Sequence, residues 1–267
     1  MNKSIIILLI LFLQNCFDKQ IVLKINKNGS GTITETVIMT MKPTTVESDN
    51  ETPEEKKKQE KENFEKNKQK QIDRVTGMGQ GVKFESFTMQ NETNKHIATV
   101  VYSFKDINHL TINTSFEDKP AEPFIVFQYT PGKKSSMLIQ IPKKEEKTQT
   151  TEAISAEPAK DNSDKSGEEN TGSKKQMENM LKNIFKDLKM SFVIHFESPI
   201  KKTNAAYLDE KNNSIILYDV AFSEFLDDKN KDKFEKLSKS KADLANVFKD
   251  GGLKSKFELN HELKVEF

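Results

Sequence analysis

The chain has no tryptophan, one cysteine (Cys16) and one arginine (Arg74) among its 42 basic residues. Each scarcity excludes something. A lone cysteine allows no intramolecular disulfide, so an exported form must rely on packing alone. Lysine carries a point charge and lacks the planar fork that clamps phosphate or reads guanine. Near-absence of arginine therefore argues against nucleic acid as a partner. The formal net charge of +1 agrees, since nucleic-acid binders show a basic excess or a basic face. Long apolar runs are missing as well. Ile5–Leu13 is nine residues, against about 20 for a helix that crosses a bilayer.

What is present begins with that run. Met1-Asn2-Lys3-Ser4, the apolar stretch and then a polar exit have the layout of a secretory signal, predicting a signal peptide over residues 1–15. Leu13-Gln14-Asn15-Cys16 resembles a lipobox, although Gln14 and Asn15 stand where small residues are usual, as in the looser lipoboxes of spirochaetes. The resemblance implies cleavage between Asn15 and Cys16, a diacylglyceryl group on the Cys16 thiol and acylation of the new amino terminus. One acyl chain anchors marginally and two or more hold firmly. The expected location is the bacterial cell envelope, held by lipid. Phe17 stands where enteric bacteria place the aspartate that retains lipoproteins in the inner membrane, so the outer membrane is expected, on its periplasmic or surface face.

Strand patterns follow at once. Ile21, Leu23 and Ile25 alternate with Val22, Lys24 and Asn26. Asn28-Gly29-Ser30-Gly31 predicts a hairpin with a type I′ turn. The return strand puts Ile33, Val37, Met39 and Met41 on one face and threonines on the other. Further strands are expected over Val82–Gln90, His96–Phe104, Phe124–Tyr129, Ser136–Ile141, Lys189–Glu197 and Ile215–Val220. "DINHLTINTSF" reads as a short helix or loop. The last segment, "KFELNHELKVEF", predicts one strand with Phe257, Leu259, His261, Leu263, Val265 and Phe267 on its apolar face. No apolar tail follows, so a C-terminal span is not expected.

Between the strands lie charged stretches. Residues 43–76 carry Glu54–Lys58 and Glu62–Lys66 pairs at i,i+4 spacing. Phe64, Ile72 and Val75 suggest that the second half packs as a helix, while 43–63 is expected to be a frayed or disordered insertion. Residues 143–174 hold one large apolar side chain, Ile154, and predict a disordered linker or insertion. Met177, Met180, Leu181, Ile184, Phe185 and Leu188 then mark an amphipathic helix. Phe222–Leu226 and Asp232–Phe248 are expected to be helical too. The fold expected is α+β: an antiparallel β-sheet with packed helices and long charged insertions. Residues 16–142 form its N-terminal part, and 175–267 complete the same domain or form a second lobe.

Chemistry leaves little trace. His96, His109, His195 and His261 fall in different elements, with no H-x-x-x-H pair and no second cysteine to build a metal site. There is no G-x-S-x-G elbow. Gly77-Met78-Gly79-Gln80-Gly81 has G-x-G-x-G spacing and follows a predicted helix, whereas a phosphate loop follows a strand and opens a helix. No catalytic residue, cofactor site or metal site is expected, and the chain does not read as an enzyme.

The "NGSG" hairpin (28–31), "YSFKDINHL" (102–110) and "FESPIKKTNAAYLDEKNNSIILYDVAF" (196–222) together resemble the LppM-like family of bacterial lipoproteins. The matching positions are Asn28-Gly29-Ser30-Gly31, Pro199, Ile200, Asn204 and Tyr218. The resemblance implies an α+β domain and, as proposed for some members, a lipid or lipoglycan ligand in an apolar cavity. Two functions follow as expectations. One is a membrane-anchored, non-enzymatic binding module for lipid or envelope glycolipid. The alternative is a surface-exposed adhesive lipoprotein whose partners are host or envelope proteins.

Overall fold

The computed structural model describes residues 15–41, 52–92, 94–113, 124–141, 186–226, 230 and 253–267. The signal run, the 143–174 segment and the helix expected over Asp232–Phe248 lie outside these residues, as does the helix expected over Met177–Leu188 up to residue 185; residues 186–187 form a turn. What is described is predominantly β, with one α-helix and two sheets, an α+β-like architecture.

The larger sheet is built on β1 (Asn15–Ile25), β2 (Gly31–Met41), β3 (Lys83–Glu92) and β4 (Lys95–Phe104). Its other strands are β8 (Lys189–Phe196), β10 (Ser214–Ala221) and β11 (Lys256–Phe257). Their order is β11-β10-β8-β1-β2-β4-β3. The expected antiparallel sheet is in fact mixed, because β1 and β8 run parallel from Asp18↔Lys189 to Ile25↔Phe196. Parallel neighbours need a long connection, and more than 160 residues of chain separate this pair. The smaller sheet takes β5 (Thr111–Asn113), β6 (Phe124–Thr130), β7 (Ser136–Gln140), β9 (Lys202–Thr203) and β12 (Glu262–Glu266) in the order β5-β6-β7-β12-β9. Both sheets therefore draw strands from both sides of the 143–174 segment. Their buried side chains form one cluster, from Ile21 to Phe267, with Val220 set apart among Tyr218, Phe222, Leu253 and Phe257.

Several expectations are corrected by the backbone. The β1–β2 turn is not type I′, which needs two positive φ angles. Only Gly29 is positive there (φ +80°), the Gly29 N–H donates to the Asn26 carbonyl at 3.0 Å, and the Asn26 N–H donates to the Ser30 carbonyl at 2.8 Å. That is a type I turn closed by a left-handed glycine. A Cβ at Gly29 would lie 2.7 Å from the Tyr129 ring, so the turn is pressed against the smaller sheet.

The charged segment is helical earlier than its composition suggests. Helix α1 runs Pro53–Arg74 and starts with a capping box. The Glu55 N–H donates to Thr52 Oγ1 at 3.3 Å, and the Thr52 N–H donates to Glu55 Oε2 at 2.8 Å. Two orphan donors of the first turn are thereby satisfied. Its half-buried stripe is Phe64, Asn67, Lys68 and Gln71, continued by Val75, while Ile72 is 37% exposed. Residues 64 and 72 lie about 80° apart on a helix of 3.6 residues per turn, so Ile72 misses the packed face.

The last strand is broken in two. Phe257 pairs with Tyr218 in the larger sheet, whereas Glu262–Glu266 pairs with β7 in the smaller one. The crossing is braced by Glu258, 4% exposed, whose carboxylate accepts the N–H groups of Ala206 (2.7 Å) and Asn260 (2.9 Å). His261 is consequently exposed and does not share the buried face of Leu263, Val265 and Phe267.

Candidate functional site

Strand pairing orders the inner face of the larger sheet into rows. Phe104, Gly31, Ile25 and Phe196 lie at the hairpin end. Next come Phe84, Tyr102, Ile33, Leu23, Ile194 and Ile215. The third row is Phe87, Val100, Glu35, Ile21, Phe192, Tyr218 and Phe257. The fourth is Met89, Ala98, Val37, Lys19, Met190 and Val220. Burial falls along this series. Leu23, Ile33 and Ile194 are at 0%, toward the end where the Phe267 ring, just past β12, sits 4.7 Å from that of Phe196; Tyr102, also at 0%, lies against α1. In the fourth row only Val220 is buried; the other five are half-buried. Beyond it Met39 and Phe17 are half-buried too, and the row ends beside Cys16. An apolar floor thus opens toward the start of β1.

Glu35 is the buried exception in that floor. It is 6% exposed, and it occupies the alternation position of a core residue between Ile33 and Val37. Arg74, the last residue of α1, compensates it. Its guanidinium donates to Glu35 Oε1 at 2.9 Å and Oε2 at 3.3 Å, and to Gln71 Oε1 at 2.8 Å. The same guanidinium carbon lies 5.9 Å over the Tyr102 ring. The Tyr102 hydroxyl donates to Gln71 Oε1 at 2.9 Å. Burial pushes the Tyr102 phenol up to about 12, against the pull of Arg74. Burial raises Tyr218 as well, with Glu35 adding to the shift. Lys19 Nζ reaches Glu35 Oε2 only at 3.9 Å. A single arginine thus neutralises the buried carboxylate through a two-pronged contact that lysine cannot make, and pins the helix to the sheet.

Phe64 holds α1 at its middle, its ring 5.4 Å from Phe87. From Glu54 to Asn63 every side chain the structure describes is exposed, so that half of the helix stands clear of the sheet.

The histidines do not gather. His96 meets Asn91 at 2.7 Å and His109 meets Asp106 at 3.5 Å. His195 Nδ1 lies 3.0 Å from Ser214 Oγ, with Asp209 nearby. These are the residue types of a hydrolase triad in the wrong arrangement. Ser214 is 6% exposed, and Asp209 Oδ1 accepts the N–H groups of Asn213 and Ser214, each at 2.9 Å, instead of orienting the imidazole. Burial works to raise the Asp209 carboxyl, but those N–H donors hold it below its ordinary value. The cluster braces the turn before β10. Among the described residues no three His, Cys, Asp or Glu side chains group as metal ligands.

Cys16 is the second residue of β1, its backbone opposite Thr40, with Asn15 opposite Met41. The strand therefore starts at the predicted cleavage point, not five residues later. The glycine cluster forms the exit of α1, with Gly79 at φ +108° bridged to Leu110. Among the described residues no helix is long and apolar enough to cross a membrane. The residues of the quoted motifs act mostly as joints. The Ile107 N–H donates to the Gly29 carbonyl at 2.9 Å, and the Ile200 N–H to that of Asn212 at 2.7 Å. Asn204 Oδ1 accepts the Lys264 N–H at 2.7 Å. Tyr102, Tyr218 and Val220, which also fall in those motifs, lie on the inner face. A separate open groove of about 510 Å³ lies on the outer side of the smaller sheet, lined mainly by polar side chains such as Gln128, Thr130, Lys202 and Lys264. Comparison of the chain with family models, with curated proteins and with solved structures finds no match.

Proposed function

We propose that the protein is an exported lipoprotein, cut between Asn15 and Cys16 and acylated on Cys16, that holds a non-enzymatic binding module for lipid or envelope glycolipid against the bilayer. The observation that carries this is the gradient of burial on the inner face of the larger sheet. The face is sealed at the hairpin end and half-covered where β1 begins. Acyl chains on Cys16 would leave almost no tether between bilayer and sheet, so the half-covered floor would face its source of lipid. The LppM-like resemblance, the outer membrane as location and the charged stretches 43–63 and 143–174 as insertions in one domain belong to the same proposal.

Labelled palmitate fed to the native cells tests the anchor: label in the wild-type protein and none in Cys16→Ala, which moves to the soluble fraction, supports it. An unlabelled wild type, or a membrane-bound Cys16→Ala, refutes it. The adhesive alternative draws support from the first half of α1, which is exposed on every described side. Cleavage of the 143–174 segment when intact cells meet protease would favour that alternative.

A further inference from the structure

Lys19 is out of place where it stands. It occupies the fourth row of the floor, flanked by Val37 on β2 and Met190 on β8, and its side chain is only 25% exposed. An ammonium group carries three donors and seeks partners for them when drawn out of water. Among the described residues its one ion-pair partner is Glu35, at 3.9 Å, which lies beyond hydrogen-bond distance. Both oxygens of Glu35 are already engaged by Arg74. Lys19 thus keeps its hydrogen-bonding capacity for something else, in the middle of an apolar surface.

We propose that Lys19 receives the carboxylate of a long-chain fatty acid whose tail lies on Val37, Met39, Ala98 and Met89; this rests on the lipid-binding reading and names its ligand. The charge favours one anionic head group. A lysine makes a point contact suited to a carboxylate, while the forked donor that would suit a doubly charged phosphate is committed to Glu35. The floor fits a tail. From Lys19 on β1 to Met89 on β3 it spans three strand spacings, about 14 Å at the usual strand separation, without another charge in that part of the fourth row. Methionine supplies two of its surfaces, and its flexible thioether adapts to a chain of variable conformation.

Photo-crosslinking tests this with the full-length protein in phosphatidylcholine nanodiscs, using palmitic acid and its methyl ester, each carrying a diazirine on the tail. In the wild type the acid should label peptides of β2 and β4 more strongly than the ester. Lys19→Met should lower labelling by the acid by about tenfold, the range of a partly desolvated charge-assisted contact, and leave the ester unchanged. Lys19→Arg should keep the preference for the acid. Equal labelling by acid and ester in the wild type, or no loss in a folded Lys19→Met, overturns the role of Lys19 while leaving the floor a lipid site. Failure of both probes to label the floor overturns the role of Lys19 and the lipid-binding module together.

Discussion

The two ends of the larger sheet share strands and differ in what covers them. At the hairpin end the inner face meets the smaller sheet, and Leu23, Ile33 and Ile194 are fully buried. Toward Cys16 the same strands continue for several residues past that cover, and Val37, Met39 and Met190 are half-buried. Glu35, Arg74 and Tyr102 stand at the boundary. On the proposed reading, stability and binding are separated along one set of strands. Interdigitated core at one end holds the fold, which frees the other end to keep an apolar surface that folding alone does not require.

The comparison breaks most directly by truncation at each end. Leu23→Ala should lower the unfolding free energy by about 3–4 kcal/mol, because a sealed core leaves a cavity. Val37→Ala should cost about 1 kcal/mol or less, since its site can relax or admit water. Denaturant midpoints at unchanged m-value measure both. Similar losses at the two positions would mean that the Cys16 end is as tightly packed as the hairpin end.

The boundary comes next. Arg74→Met removes the forked partner of a buried carboxylate and should cost about 2 kcal/mol, below the range for a fully buried pair because Arg74 is 40% exposed. Glu35→Leu with Arg74→Met should recover most of that, as apolar replacement of both partners often does. The pair also fixes α1, so amides of residues 64–74 should exchange faster in the single mutant than in the double.

Alkali should sharpen the same boundary. The Tyr102 phenol is held neutral to about 12 in the folded chain, whereas an exposed tyrosine ionises near pH 10. The stabilisation is therefore complete below about pH 10 and is lost as pH rises toward 12, because the folded state binds the proton more tightly than the unfolded one. Tyr102→Phe should flatten the fall of unfolding free energy over that window without removing it, since Tyr218 is shifted in the same direction. Smallest of all, Thr52→Ala should fray the first turns of α1 at a cost of about 1 kcal/mol, seen as amide exchange confined to that end of the helix.

Much of this was legible in the sequence. Alternation located β1, β2, β4, β8 and β10, because one buried face imposes a period of two. Alternation marks the charged positions of the floor as well. Glu35 and Lys19 fall on the apolar faces of their strands by parity alone, and the chain holds a single arginine to partner a buried acid. Thr52-Pro53-Glu54-Glu55 spells a capping box, masked by the charge density around it. What sequence could not carry is non-local. The parallel pairing of β1 with β8 depends on the return of distant chain, and the break after Phe257 depends on strands of two different sheets competing for one alternating segment. The half-covered floor was unreadable for the same reason, since half-burial depends on what distant chain packs over the strands.

Native mass spectrometry of the protein taken from its own membranes reaches the central claim most directly. Wild-type protein should carry an additional lipid mass beyond its covalent anchor, and Val37→Glu, which places a charge in the floor, should lose that mass while remaining folded. A wild type at the mass of the anchored chain alone, or a lipid adduct that survives Val37→Glu, would contradict the account.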